Sequence, residues 1–416
     1  MKKKALLFFL FIVLLSRLQA IESFSETRRQ EPSPLTDTDL MVLSNNQFGY
    51  RLFTLLKKTD ENLIFSPYNL STALQMVYAG SSEMTQSQLA RVLHFSLNPK
   101  SLELAAGKLA TTLTTHRSGQ DDLFLSIANS LWIQEGYPIL PAFKESITKN
   151  YKGYVKSVNF QTMPEMASKE INEWVKIQTQ GKIVDLLETN QLSTTTRLLL
   201  VSALYMRGKW QSPFSSSLTR LMPFFPSPSK TLTLPTMSLT ASFSYIKENL
   251  FSIVELPYAS KEVALKVSLY ILLPHETFAL DSIERQLSSQ KLLDLSKRLQ
   301  KTHLTLSIPK FKITSTLSFK PLLEEMGLTD PFSSRANFSG IDGTQNLQLA
   351  DVLQKGIISV MENGTEAGIA TSGSIEVKSS LSKPPELFTA DHPFLFFVAD
   401  KATGTFLFLG RVVFPM

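Results

Sequence analysis

Residues 362–383, ENGTEAGIATSGSIEVKSSLSK, are unlike any other stretch of the chain, and Gly364 to Gly373 is almost entirely Gly, Ala, Ser, Thr and Glu. Read with period two, Thr365, Ala367, Ile369, Thr371, Gly373, Ile375 and Val377 form one small or apolar set. Glu366, Gly368, Ala370, Ser372, Ser374, Glu376 and Lys378 form the other, mostly small or polar. That alternation is what a half-buried strand requires, because successive side chains point to opposite faces. The glycines and small side chains suit an exposed loop equally well. On pattern alone, the segment reads either as a switch between the two states or as an edge strand running into a serine-rich loop.

The rest of the chain supplies a substantial core. Of 416 residues, 43% are hydrophobic and 19% charged, which excludes a disordered chain. Length alone suggests two or three domains of about 150 residues. Gln47 to Lys57 carries Phe48, Leu52, Leu55 and Leu56 on one stripe, as an amphipathic helix does. Ser66-Pro67 opens a second helix with Leu70, Leu74, Met76 and Val77 as its buried residues, since proline's missing N–H costs nothing in a first turn. Leu123 to Ile133, Leu198 to Met206, Val263 to Leu273 and Leu304 to Ile313 read as strands. Phe394 to Val398 and Phe406 to Leu409 are two more, joined by a tight connection from Ala399 to Gly404. Helices come early and strands later, without regular βαβ alternation, which favours an α+β architecture.

The net charge of +6 is concentrated at the start. Lys2, Lys3 and Lys4 precede the apolar run Ala5 to Leu15, and Arg17, Leu18, Gln19 and Ala20 follow. This is the pattern of a secretory signal peptide over residues 1–20, and the run is shorter than the ~20 apolar residues a bilayer span needs. Cleavage near Ala20 removes four basic and no acidic residues, leaving 38 Lys and Arg against 36 Asp and Glu, a charge of +2. The expected mature protein is secreted and nearly neutral, with no nucleic-acid partner and no membrane association once the signal is gone. Residues 21–42 are polar and hold two prolines, so they read as a flexible N-terminal segment.

Several chemistries are excluded outright. The chain has no cysteine, so disulfides, thiolate metal sites and cysteine nucleophiles are absent. Five histidines leave little room for a metal site, and none is expected. No G-x-S-x-G elbow, H-E-x-x-H helix, Walker loop or G-x-G-x-x-G fingerprint occurs. Ser288 with Lys291, and Ser380 with Lys383, satisfy S-x-x-K, a pattern short enough to arise by chance in a serine-rich chain. No enzyme activity and no cofactor are expected.

The order of short motifs is more specific than any one of them. Glu362-Asn363-Gly364-Thr365-Glu366-Ala367 resembles the E-x-G-T-E-A hinge of the serpin family's reactive-centre loop. Asn62 to Phe65 with Ser66-Pro67 and Thr72-Ala73-Leu74, then Ile127 to Leu131, resemble the family's early signatures. Ile171-Asn172 with Trp174-Val175, and Thr179 with Gly181-Lys182-Ile183, follow. Leu200 to Ala203, Gly208-Lys209-Trp210 with Pro213-Phe214, and Glu255 to Tyr258 come next. Pro309 to Lys312, Asp391 to Phe394 and Gly410 to Val413 complete a likeness over about residues 43–415.

The resemblance implies one serpin domain over 43–416, an α+β fold of about nine helices and three β-sheets with an exposed reactive-centre loop at about 362–383. It implies a monomer whose loop is attacked by a serine protease and then inserts into the central sheet, trapping the acyl-enzyme. The hinge is Glu362, Gly364, Thr365, Glu366, Ala367 and Gly368. Thr365 enters first and faces inward, where a charge would have to be desolvated, so its neutrality favours an inhibitor. Counting from Glu362 by the family's spacing puts the reactive bond at Lys378-Ser379, suited to a trypsin-like pocket. Counting back from Pro384-Pro385-Glu386 gives Leu381-Ser382 and a chymotrypsin-, elastase- or cathepsin-like target. The family's gate under the central sheet maps onto Ser66, Asn69, Ser202 and Gln354, with asparagine and serine exchanged and glutamine in place of histidine. The alternative is a non-inhibitory carrier or chaperone. Asn69, Asn337 and Asn363 head glycosylation sequons, of which Asn69 is expected to be buried and Asn363 lies at the hinge. Lys100, Lys108, His116 and Arg117 are too few for a strong polyanion site.

Overall fold

Proline or an acidic residue stands in the first turn of most helices, where the N–H groups have no intrahelical partner. The computed structural model describes residues 34–57, 60–114, 122–188, 190–260, 266–365 and 384–415. The chain divides into Met1–Thr36 and Asp37–Met416, and the elements below belong to the second unit. In chain order they are α1 (Asp37–Leu56), β1 (Leu63–Phe65), α2 (Pro67–Ala79), α3 (Glu83–Val92), α4 (Pro99–Thr114), β2 (Leu123–Gln134), α5 (Pro141–Asn150), β3 (Tyr154–Val158) and α6 (Pro164–Gln178). Then come β4 (Leu198–Lys209), β5 (Arg220–Ser227), β6 (Lys230–Lys247), β7 (Phe251–Pro257), β8 (Val267–Pro274), α7 (Leu280–Glu284), α8 (Ser289–Arg298), β9 (Gln300–Pro309) and β10 (Phe311–Ser318). The last are α9 (Lys320–Glu325), α10 (Ser339–Asp342), β11 (Leu349–Met361), β12 (Gly364–Thr365), β13 (Glu386–Thr389), β14 (Phe394–Asp400) and β15 (Phe406–Val412).

Two hydrogen-bonded sheets organise these strands. One has six strands in the order β10-β11-β12-β4-β2-β3. The other has nine, β1-β15-β14-β8-β7-β6-β9-β13 with β5 paired to β6. Helix α2 lies between them, packed on β2 and β4 on one side and β15 on the other. Every residue from Pro67 to Tyr78 is therefore buried, not only the expected stripe. Ser66 caps the helix, its hydroxyl accepting from the Asn69 N–H, with Pro67 in the first turn. The α+β class stands, with ten α-helices among the described residues.

Two local expectations are corrected. Residues 37–42 are not part of a flexible lead: α1 begins at Asp37, and Met41 and Val42 are buried. Asp37 and Asp39 favour the helix N-terminus there, a signal masked by the prolines just before it. Leu304 to Ile313 is not one strand, because β9 ends at Pro309 and β10 begins at Phe311 in the other sheet. Proline has no N–H to continue a ladder, and Lys310 carries the crossing. Among the described residues the strands fall into two hydrogen-bonded sheets, and the 18-residue β6 bonds to β9 through both halves and to β5 and β7 at its ends.

Candidate functional site: a strand slot with a seated hinge

Strands β4 and β11 run parallel at the centre of the six-stranded sheet, with Leu198 opposite Leu349 at one end and Leu204 opposite Gly356 at the other. Beyond Gly356 their pairing stops, and β12 stands between their ends, antiparallel to both. Thr365 is opposite Val360 on one side and Gly208 on the other, and Gly364 is opposite Met361 and Lys209. A parallel pair that parts to admit an antiparallel strand defines a slot with its first rung occupied. Gly364 is required there, with φ +145° and a Cβ position 1.9 Å from the Gly208 carbonyl oxygen. Gly208 itself has no room for a Cβ, which would lie 2.6 Å from the Tyr258 ring.

The hinge is fastened from three directions. The Thr365 hydroxyl lies 2.6 Å from that of Tyr258, and Thr365 is 1% exposed. Tyr258 stacks on Trp210 with ring centroids 4.6 Å apart. The Trp210 indole N–H donates to the Met361 carbonyl at 2.9 Å, and its backbone N–H donates to that of Asn363 at 3.0 Å. Lys310 pairs with the Glu362 carboxylate at 3.0 Å, while the Thr219 hydroxyl donates to the same carboxylate at 2.9 Å. Burial raises the Glu362 carboxyl, but its own backbone N–H, Lys310 and Thr219 outweigh that and hold it below its ordinary value. Burial pushes the Tyr258 phenol well above its ordinary value, so it stays neutral and free to bond.

Further down, a polar layer crosses the buried face. Gln354 on β11 accepts from the Ser66 N–H at 2.7 Å and donates to the Ser66 carbonyl at 3.2 Å and to the Ser202 hydroxyl at 3.1 Å. This glutamine ties β11, β4 and the start of α2 together at the level where the slot closes. Ser66, Ser202 and Gln354 thus come together in one hydrogen-bonded group. Asn69 does not join them: its side-chain amide is fully buried and has no hydrogen-bond partner among the described residues. The same holds for Asn129 on β2, which lies opposite Ser202 and which sequence reasoning passed over. Its signal was a polar residue inside the apolar run Leu123 to Ile133.

The remaining expectations divide plainly. Glu366, Ala367, Gly368, Lys378, Ser379, Leu381 and Ser382 lie outside the described residues, as do residues 1–20, Ser380, Lys383, His116 and Arg117. Ser288 is a helix cap, its hydroxyl accepting from the Lys291 N–H at 3.1 Å, not a nucleophile. Asn69 and Asn337 are buried, so the folded chain leaves no room for a glycan on either. Among the described residues no group of acidic and histidine side chains is arranged to hold a metal ion, and no helix is long and apolar enough to cross a membrane. Tyr258, Trp210, Thr219 and Lys310 are the hinge partners that sequence reasoning did not assign.

Comparison with known proteins fits this geometry. A family model described as Serpin (serine protease inhibitor) matches residues 43–415. An uncharacterized serpin-like protein of Thermococcus kodakarensis is 34% identical over 377 residues, covering 90% of this chain and 86% of its own. The leukocyte elastase inhibitor of Bos taurus is 34% identical over 378 residues, covering 89% of this chain and 98% of its own. Among solved structures, human thyroxine-binding globulin in complex with its hormone superposes with a TM-score of 0.82 at 27% identity, over 92% of this chain and 100% of that one.

Proposed function

The chain belongs to the serpin family, and on that premise we propose that it is a suicide-substrate inhibitor of a serine protease and not itself an enzyme. The protease serine attacks the reactive carbonyl within 366–383 and forms an ester while the peptide bond breaks and the new amino terminus leaves. The freed loop then enters the slot between β4 and β11 as a strand, carrying the esterified protease with it. The observation that carries this reading is the seated hinge: Thr365, neutral and buried, already occupies the first rung. Each further rung adds backbone hydrogen bonds worth about 1 kcal/mol net apiece. Continuing the β12 register, residue 375 comes opposite Leu198, the first residue of β4. Lys378 then stands three residues past the slot, and Leu381 six. The shorter overhang holds a protease closer to the sheet and favours Lys378-Ser379 and a trypsin-like target.

A second reading has its own support. The likeness to a leukocyte elastase inhibitor favours Leu381-Ser382 and an elastase-like target. The likeness to thyroxine-binding globulin supports a carrier, in which a cut loop would form no complex. Mixing the protein with trypsin and with an elastase, followed by denaturing electrophoresis and mass measurement of the released fragment, separates these. A covalent complex with a fragment beginning at Ser379 supports the primary reading. A fragment beginning at Ser382 transfers it to the second, and cleavage without complex overturns inhibition. Export is part of the proposal, and an amino terminus near residue 21 on protein recovered from the medium tests it.

A further inference from the structure

We propose that Asn363-Gly364 is a self-modifying site: in the folded protein the Gly364 backbone nitrogen closes on the Asn363 side-chain amide, and Asn363 is converted to aspartate or isoaspartate. Asn363 is the only asparagine of the chain that precedes a glycine. It stands at the corner between β11, which ends at Met361, and β12, which begins at Gly364, with those two residues opposite each other. The residue is half-buried, so water reaches it.

The reaction needs only the chain and water. A solvent base removes the Gly364 N–H proton, the nitrogen bonds to Asn363 Cγ, and the side-chain nitrogen takes a proton from water and leaves as ammonia. The product is a five-membered succinimide. Water then adds to one of its two carbonyls. Breaking the ring bond to Cγ leaves aspartate, and breaking the bond to the main-chain carbonyl carbon leaves isoaspartate. Two features of the corner favour ring closure. Gly364 has no Cβ to crowd it. The Trp210 backbone N–H donates to the Asn363 carbonyl at 3.0 Å, and so stabilises the negative charge that this peptide group takes on when its nitrogen loses the proton. Asn129, by contrast, is followed by Ser130 inside β2 and is 3% exposed.

The consequence follows from how tightly the next two residues are held. Isoaspartate routes the main chain through its side chain and so adds one backbone atom just before Gly364. At Gly364 even a Cβ would lie 1.9 Å from the Gly208 carbonyl oxygen and 2.7 Å from Lys209 Cα. The longer chain cannot keep Gly364 opposite Lys209 and Thr365 opposite Gly208. The 2.6 Å contact between the Thr365 and Tyr258 hydroxyls is then lost. Either product also sets a new carboxylate beside that of Glu362, which already takes the Lys310 ammonium and the Thr219 hydroxyl. The hinge thus carries its own clock, and neither the chemistry nor the unseating depends on the inhibitor reading above.

Full-length protein held warm at mildly alkaline pH tests this, by peptide mapping with isoaspartate detection and by amide exchange at residues 362–365. Asn363 should convert in the folded chain with a gain of one mass unit. Exchange in the isoaspartate fraction should speed up by at least about fivefold, as the loss of one buried hydrogen bond requires. Asn363→Gln, whose longer side chain must close a larger ring and does so far more slowly, should keep the slow exchange of fresh protein through the same incubation. An Asn363 that stays intact in the folded protein while a synthetic peptide of residues 358–365 converts overturns the site. Conversion with unchanged exchange overturns the unseating, and so does a glutamine variant that loses protection as fast as the parent.

Discussion

Tyr258 and Thr365, 107 residues apart in the chain, bring their hydroxyls within 2.6 Å of each other in the core. The contact joins the end of one sheet's strand to the first rung of the other sheet's slot. Tyr258 is held in place by its stack on Trp210, so the phenol presents a fixed partner to the hinge. Tyr258→Phe keeps the ring and removes the bond, a change of about 1 kcal/mol. Amide exchange at residues 362–365 is expected to speed up about fivefold by the same measure, with global unfolding little changed. Unaltered exchange would show that the hydroxyl pair does not hold the hinge.

Thr365 tolerates little else. At 1% exposure, an arginine there must be desolvated at a cost of several kcal/mol or stay outside the sheet. Thr365→Arg is expected to be cleaved by the target without covalent complex, while Thr365→Ser keeps complex formation. The ratio of complex to cleaved product on a denaturing gel reads this directly.

The Glu362–Lys310 pair gives the hinge a pH dependence. The folded-state pKa of Glu362 lies below the ordinary 4.5, so the folded protein holds the carboxylate charged where the unfolded chain would protonate it. The stability it contributes is present in full above the ordinary value and is lost as pH falls through the folded value. Urea midpoints of the parent and Glu362→Gln should therefore differ most at pH 6 and converge as pH falls below the ordinary carboxylate value and through the lower folded one. A difference that grows on acidification contradicts this role.

Much of the slot was legible in the chain, and the reasons are local. Ser66-Pro67 announces a helix start because a cap and a missing N–H act within one turn, and the motif Glu362 to Ala367 is contiguous, with Gly364 and Thr365 forming β12. What escaped depends on distance in sequence. Nothing near Tyr258 indicates a partner 107 residues away, and the Glu362–Lys310 pair bridges 52. Asn69 was placed in the gate by position, yet its buried amide finds no hydrogen-bond partner among the described residues, and neither does that of Asn129, which lies opposite Ser202 on the neighbouring strand. Pro309-Lys310-Phe311 shows the same limit: composition is strand-like on both sides, and only the assembled sheets reveal the crossing.

Gln354 makes three buried hydrogen bonds, so its loss strands the Ser66 N–H and the Ser202 hydroxyl. Gln354→Leu is expected to destabilise the intact protein by about 2–6 kcal/mol, from two unpaired buried groups at about 1–3 each. It should also open the slot more readily, seen as faster polymerisation on mild heating. Unchanged urea midpoint and polymerisation rate would remove Gln354 from the gate.

The central proposal is that β4 and β11, paired with each other from Leu198 and Leu349 to Leu204 and Gly356, part after cleavage to admit the chain's own loop. Thermal unfolding before and after a single cut within residues 366–383 measures this most directly. The account predicts that the cut protein, with its two pieces still associated, survives well above the temperature that unfolds the intact chain. An unchanged or lower unfolding temperature after the cut would contradict it.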